Sequence, residues 1–286
     1  MIERIYTLIT GASEGFGKAI AIECACRKMN LILVALPGIE LDNLVDFIKV
    51  RYSVSVIGIG KDLCKEDSPI EVFNEVKALG LRVNMLINNA GVGSTGLFEE
   101  GGVDLYERQI KLNVLATTLI TRLFLDMLKQ NKSSYILNVG SLASFFPLPK
   151  KQVYGATKSF IYYFSKCLQK ELKKDNVFVS ILCPGAMMTN STVQLVIQKG
   201  NYLIRNSCIH PEKVAAIVIN GMLKRKGVMI PGILNKCYVI LLSVLPEFIK
   251  AIITNHSMRK LNSLRESNPF EKTYRNLPLS HQGYGA

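Results

Sequence analysis

Thr10-Gly11-Ala12-Ser13-Glu14-Gly15-Phe16-Gly17 decides how this chain is read. The segment follows an apolar run, Ile5–Thr10, with the composition of a buried strand, and it opens a helical pattern over Phe16–Lys28. Its three glycines are spaced G-x-x-x-G-x-G. Glycine is required where the backbone turns tightly and where it must approach an anion closely. The free N–H groups of the helix that follows then face the same anion. A glycine turn at a strand-to-helix junction therefore predicts a pyrophosphate cradle.

Outward from that turn, strand and helix patterns alternate. Strands are predicted at Leu31–Leu36, Ser53–Ile59, Asn84–Ile87, Tyr135–Val139, Phe178–Leu182 and Val228–Ile230. Helices are predicted between them, at Pro69–Leu79, Leu105–Lys129 and Val153–Lys173, with another beginning near Pro211. Short runs rich in Val and Ile suit strands buried on both faces. The alternation implies right-handed crossovers and a doubly wound parallel α/β sheet of Rossmann type. Residues 1–233 read as this domain, and residues 234–286 as a C-terminal extension, first apolar and helical, then basic.

Composition narrows the class. The chain has 286 residues, 49% of them hydrophobic and 20% charged, which fits one large globular domain. Seven cysteines, an odd number with no metal-ligand spacing, read as reduced thiols, and no metal site is expected. No secretory signal is visible at the start, and no apolar run reaches the ~18–20 residues of a spanning helix. These features predict a cytoplasmic location. A net charge of +13 favours polyanions, but no basic run or nucleic-acid module accompanies it, so no nucleic-acid partner is expected.

The glycine spacing differs from G-x-G-x-x-G, and T-G-x-x-x-G-x-G resembles that of the short-chain dehydrogenase/reductase family. Further motifs resemble the family's in order. Asn88-Asn89-Ala90-Gly91 closes the fourth strand, Asp62-Leu63 follows the third, and Pro184-Gly185 follows the sixth. Asn113, Ser141, Tyr154 and Lys158 match the family's tetrad in identity, order and spacing. Singly, each has an ordinary explanation as a turn or a helix-face pair. The likeness spans roughly residues 4–231 and is strongest to compact ketoacyl reductases and hydroxysteroid dehydrogenases.

The resemblance implies a nicotinamide-dependent enzyme acting on a small carbonyl substrate. It assigns cofactor contacts to Gly11, Ser13, Gly15, Phe16, Gly17, Asp62, Leu63, Asn89, Ala90, Gly91, Tyr154, Lys158, Pro184, Gly185 and Thr189. Tyr154 becomes the proton donor and acceptor, and Ser141 the hydrogen-bond donor to the substrate oxygen. Lys158 binds ribose and lowers the phenol's pKa from about 10, while Asn113 holds a relay water. It further implies a homo-oligomer.

Cofactor choice is set at the end of the second strand, where an acid would bind a ribose hydroxyl and repel a 2′-phosphate. Ala35-Leu36-Pro37-Gly38 has no acid, which favours NADP(H); Glu14 stands where a basic residue is common, and Lys61 is a possible substitute. Other readings are a cofactor-binding sensor without turnover and a lipid-surface protein. The second rests on Lys236–Ile253, an apolar stretch divided by Pro246 and flanked by Lys236, Lys250, Arg259, Lys260 and Arg265. Helices packed on the main domain or on a partner subunit would explain the same stretch.

Overall fold

The computed structural model describes residues 5–187, 209–246, 248–250 and 252–254. Seven parallel strands form one sheet: β1 Ile5–Thr10, β2 Asn30–Ala35, β3 Val56–Gly60, β4 Arg82–Asn88, β5 Ser134–Val139, β6 Val177–Leu182 and β7 Val228–Met229. Their order across the sheet is β3-β2-β1-β4-β5-β6-β7. Helices α1 Gly15–Cys26, α2 Ile39–Tyr52, α3 Ser68–Ala78, α4 Val103–Ile110, α5 Thr117–Lys129, α6 Gln152–Glu171 and α7 Pro211–Leu223 connect the strands, and α8 Ile233–Val244 follows the last.

Side-chain alternation along the strands builds two cores. Ile9, Leu31 and Leu33 point to the layer holding α1, α2 and α7. Leu8, Ile32 and Val34 point to the opposite layer, against α3 and α5. Successive strand residues face opposite sides of a sheet, so a strand buried on both faces must be apolar throughout. Phe124 of α5 is fully buried there and meets Phe73 edge-on at 5.2 Å.

The chain crosses the sheet between β3 and β4, so the loops after β1 and β4 leave adjacent strands in opposite directions. In open α/β sheets the crevice outside the strands' carboxyl ends at such a switch point is where ligands bind.

Two elements depart from the sequence reading. The helix expected over Leu105–Lys129 is interrupted by a π-helical turn, Lys111–Ala116, which holds Asn113. Single π turns inside α-helices recur at functional sites. The third strand starts at Val56, because Ser53 closes α2 in the left-handed conformation, φ 53°.

Candidate functional site

The glycine turn is fixed by a close approach. Gly11 and Gly15 have φ of +63° and +54°. A Cβ on Gly17 would lie 1.9 Å from the Gly11 carbonyl oxygen and 2.5 Å from Asn89 Nδ2. Only the absence of that atom lets α1 begin directly against the turn. No side chain caps α1, and its first turn holds no acid, so its N-terminal N–H groups remain for an anion.

The loop after β4 is tied to the same turn. Thr10 Oγ1 accepts from the N–H groups of Asn89 and Ala90, each at 3.0 Å, and Asn89 Nδ2 donates to the carbonyls of Thr10 and Gly11. Asn88 braces the sheet from within, donating to Thr121 Oγ1 at 2.9 Å and Asn138 Oδ1 at 2.8 Å. Between these loops lies a shallow, solvent-open groove. Gly11, Ser13 and Glu14 line it from the turn, Ala35, Leu36, Lys61 and Leu63 from the β2 and β3 side, and Ala90 and Leu112 from the other.

Some expected contacts sit differently. Phe16 packs its ring into the core, leaving only its backbone toward the turn. Asp62 Oδ1 accepts the N–H of Cys64 at 3.0 Å, closing its own loop. Lys61 lines the groove while paired with Glu71 at 2.7 Å. Thr189, with most of the expected substrate loop at 186–206, lies outside the described residues. The missing Cβ atoms of the turn, the uncapped helix end and the adjoining groove fit a dinucleotide.

Against the loop after β4 the tetrad residues converge. Tyr154 and Lys158 lie one turn apart on α6, so they share a face. Lys158 is buried, and its Nζ donates to the Val139 carbonyl at 2.9 Å. A Cβ on Gly91 would lie 3.2 Å from that Nζ and 3.1 Å from Asn113 Oδ1, and one on Gly93 would touch the Tyr154 ring at 3.3 Å. These glycines keep the wall bare. Ser141, at the end of β5, accepts the Ala143 N–H at 3.2 Å and hydrogen-bonds with Tyr154.

Asn113 is more committed than expected. Its Oδ1 accepts the Val92 N–H at 2.8 Å, and its Nδ2 donates to the Val92 carbonyl and to Thr157 Oγ1, both at 3.0 Å. Its side chain clamps the Val92 backbone onto α6, leaving one lone pair of Oδ1 for the water the sequence reading assigned it.

Several positioning residues had no distinct sequence signal. Ser144 Oγ donates to the Lys158 carbonyl at 2.9 Å and registers α6 against the Ser141 turn. Asn235 of α8 is buried against Gly185, where a Cβ would lie 2.9 Å from its Nδ2. Tyr238 meets Phe146 edge-on at 5.4 Å. The C-terminal helix thus closes one side of the cleft. Among the described residues, no group of three or more His, Cys, Asp or Glu could hold a metal.

The electrostatics oppose one expectation. Burial raises the Tyr154 phenol above its ordinary value, and the Ser141 hydrogen bond counters this only in part. Lys158, whose Nζ is 5.8 Å from the centre of the phenol ring, is not what offsets the shift. Burial also lowers Lys158 to about 8 and pushes the neighbouring Cys183 thiol up to about 12. Tyr154 therefore rests as the neutral phenol, beside a lysine that is charged below about pH 8.

That buried charge penalises the fold. Below about pH 8, Lys158 is protonated in both states, and only the folded state bears the desolvation. Above the unfolded value both states are neutral and the penalty vanishes. Lys158→Met is expected to stabilise the protein at pH 7 by on the order of 1–3 kcal/mol. The gain should shrink as pH rises from 8 toward 10.5, read by denaturant unfolding across that range.

The family model described as short chain dehydrogenase matches residues 6–200. A very-long-chain 3-oxoacyl-CoA reductase of Mus musculus is 30% identical over 190 residues, 64% of this chain and 60% of that protein. A 17-beta-hydroxysteroid dehydrogenase type 3 of Homo sapiens is 32% identical over 192 residues, 66% of this chain and 61% of that protein. The chain thus spans about 60% of the length of these relatives. A solved short-chain dehydrogenase from Sphingobium yanoikuyae in complex with NADPH superposes with a TM-score of 0.71 at 26% identity, covering 86% of this chain and 97% of that one. The chain belongs to the short-chain dehydrogenase family.

Proposed function

We propose that this protein transfers a hydride between NADP(H) and a ketone or secondary alcohol, with Tyr154 exchanging the proton. The observation that carries this reading is the convergence of Tyr154, Lys158 and Ser141 against the bare glycines Gly91 and Gly93 of the loop after β4. The roles of the tetrad and of the groove residues are part of the proposal.

The nicotinamide, when bound, supplies or accepts the hydride. Gly11, Ser13, Gly15 and the N-terminus of α1 would hold the pyrophosphate, and Leu63 and Ala90 would line the adenosine side. Asp62, Asn89, Gly91, Pro184, Gly185 and Thr189 complete the proposed contacts. The Ser141 hydroxyl orients the carbonyl oxygen toward Tyr154. The neutral phenol donates its proton to that oxygen, the Ser141 hydrogen bond favours the phenolate left behind, and Lys158, one turn along the same helix face, would hold the nicotinamide ribose. A phenol raised by burial rests in its proton-bearing form, which suits carbonyl reduction.

Two relatives are named for reducing 3-oxoacyl-CoA and for dehydrogenating hydroxysteroids. Phe145 and Phe146 beside Ser141 suit an apolar or acyl-chain ketone of the same kind. NADP(H) is favoured because Ala35 and Leu36 line the groove without an acid and Lys61 stands beside them. The solved relative named as holding NADPH supports the same choice. Glu14 lines the groove as well, so the preference rests chiefly on the acid missing at Leu36. A homo-oligomer in the cytoplasm, or at a membrane surface facing it, completes the proposal.

Tyr154→Phe removes only the hydroxyl. Turnover is expected to fall about 100- to 10,000-fold with cofactor binding nearly intact. Near wild-type turnover on a confirmed substrate would dismiss the mechanism, whereas cofactor binding with no turnover by the wild type would point to a sensor. Leu36→Asp is expected to move the preference toward NAD(H), read as kcat/KM for both cofactors. A tenfold advantage for NADH in the wild type would overturn the NADP(H) assignment.

A further inference from the structure

Helix α8 is largely apolar, yet only one side is covered. Asn235, Tyr238 and Leu242 face inward, against Gly185, Phe146 and the main domain. Ile233, Leu234, Ile240, Leu241 and Val244 recur three, four and seven residues apart and form a stripe on the opposite side. All are exposed, Ile233 at 79% and Val244 at 74%. Past Pro246, Phe248 and Ile252 are exposed as well, at 68% and 66%. The patch is on the order of several hundred Å², the size at which a contiguous apolar surface marks an interaction site.

We infer that this face docks on an anionic lipid surface. An apolar stripe of this length left uncovered calls for a second apolar phase. The charges around it select which one. Lys236 is exposed at the stripe's edge, and α8 contains no acid. The chain as a whole carries a net charge of +13, and Glu247 is the one acid in the sequence between Lys236 and Arg259. In a two-fold contact of this face with a second copy, the helix itself offers no acid to receive Lys236. Lipid supplies both an apolar phase and the phosphates for the basic rim. Among the described residues no helix is long and apolar enough to cross a membrane, so the contact lies in the interface plane. The inner side of α8 walls the cleft, so docking brings the cleft end of the sheet to the lipid.

The test sediments the full-length protein with phosphatidylcholine vesicles, with and without phosphatidylglycerol, at low salt. It needs no substrate, so its failure is separable from failure of the proposed reaction. Wild type is expected to pellet with the anionic vesicles and to be released by high salt. Ile240→Ser with Val244→Ser is expected to weaken binding about tenfold or more with an unchanged Tm. Lys236→Glu should weaken binding to the anionic vesicles only. Wild type that stays in the supernatant, or a serine variant that pellets equally, would overturn the inference. A serine variant that turns a dimer into a monomer without altering sedimentation would overturn it in favour of a second copy.

Discussion

A side chain at position 17 would overlap the carbonyl of Gly11, and the rest of the site depends on that close approach. Because Gly17 has no Cβ, α1 begins directly on the turn, and its free N–H groups face outward at the carboxyl edge of the sheet. Because the turn is tight, Asn89 reaches back to the carbonyls of Thr10 and Gly11 and ties the loop after β4 to the loop after β1. That loop then carries Gly91 and Gly93, whose lack of side chains leaves room for the Lys158 ammonium and the Tyr154 ring. One steric constraint at the first crossover thus propagates through two loops to the tetrad.

The catalytic end is held by a different kind of force. Lys158 sits where its charge is disfavoured, and the fold tolerates this through one hydrogen bond to Val139 and through packing that fixes α6. Ser144, Thr157 and Asn113 set the register of that helix against the Ser141 turn and the Val92 backbone. Each replaces water's hydrogen bonds with protein ones, which keeps a buried polar network from being a net loss. A lysine buried in this way carries a standing stability penalty.

The sheet was legible in the sequence because burial on both faces leaves mostly apolar residues in the strands. The glycine turn was legible because no other residue type satisfies its steric demands. Other features were hidden for physical reasons. The π turn at Lys111–Ala116 leaves the apolar periodicity of Leu105–Lys129 almost unchanged, so one continuous helix was expected. The full use of the Asn113 side chain depends on Val92, which is distant in sequence. The raised phenol reflects three-dimensional burial, whereas the spacing of Tyr154 and Lys158 suggested only the opposing charge effect. The part played by Asn235 and Tyr238 needed the fold, since nothing in an apolar C-terminal run says which side of it is covered.

The central claim is that this arrangement moves a hydride to a carbonyl carbon. Its most direct test is mass spectrometry of products formed with NADPH deuterated at the transferable C4 position, across a panel of 3-oxoacyl thioesters and cyclic ketones. The account predicts a secondary alcohol carrying one deuterium on its carbinol carbon, formed one for one with the oxidised cofactor. Tight cofactor binding with no deuterated alcohol from any ketone would contradict it.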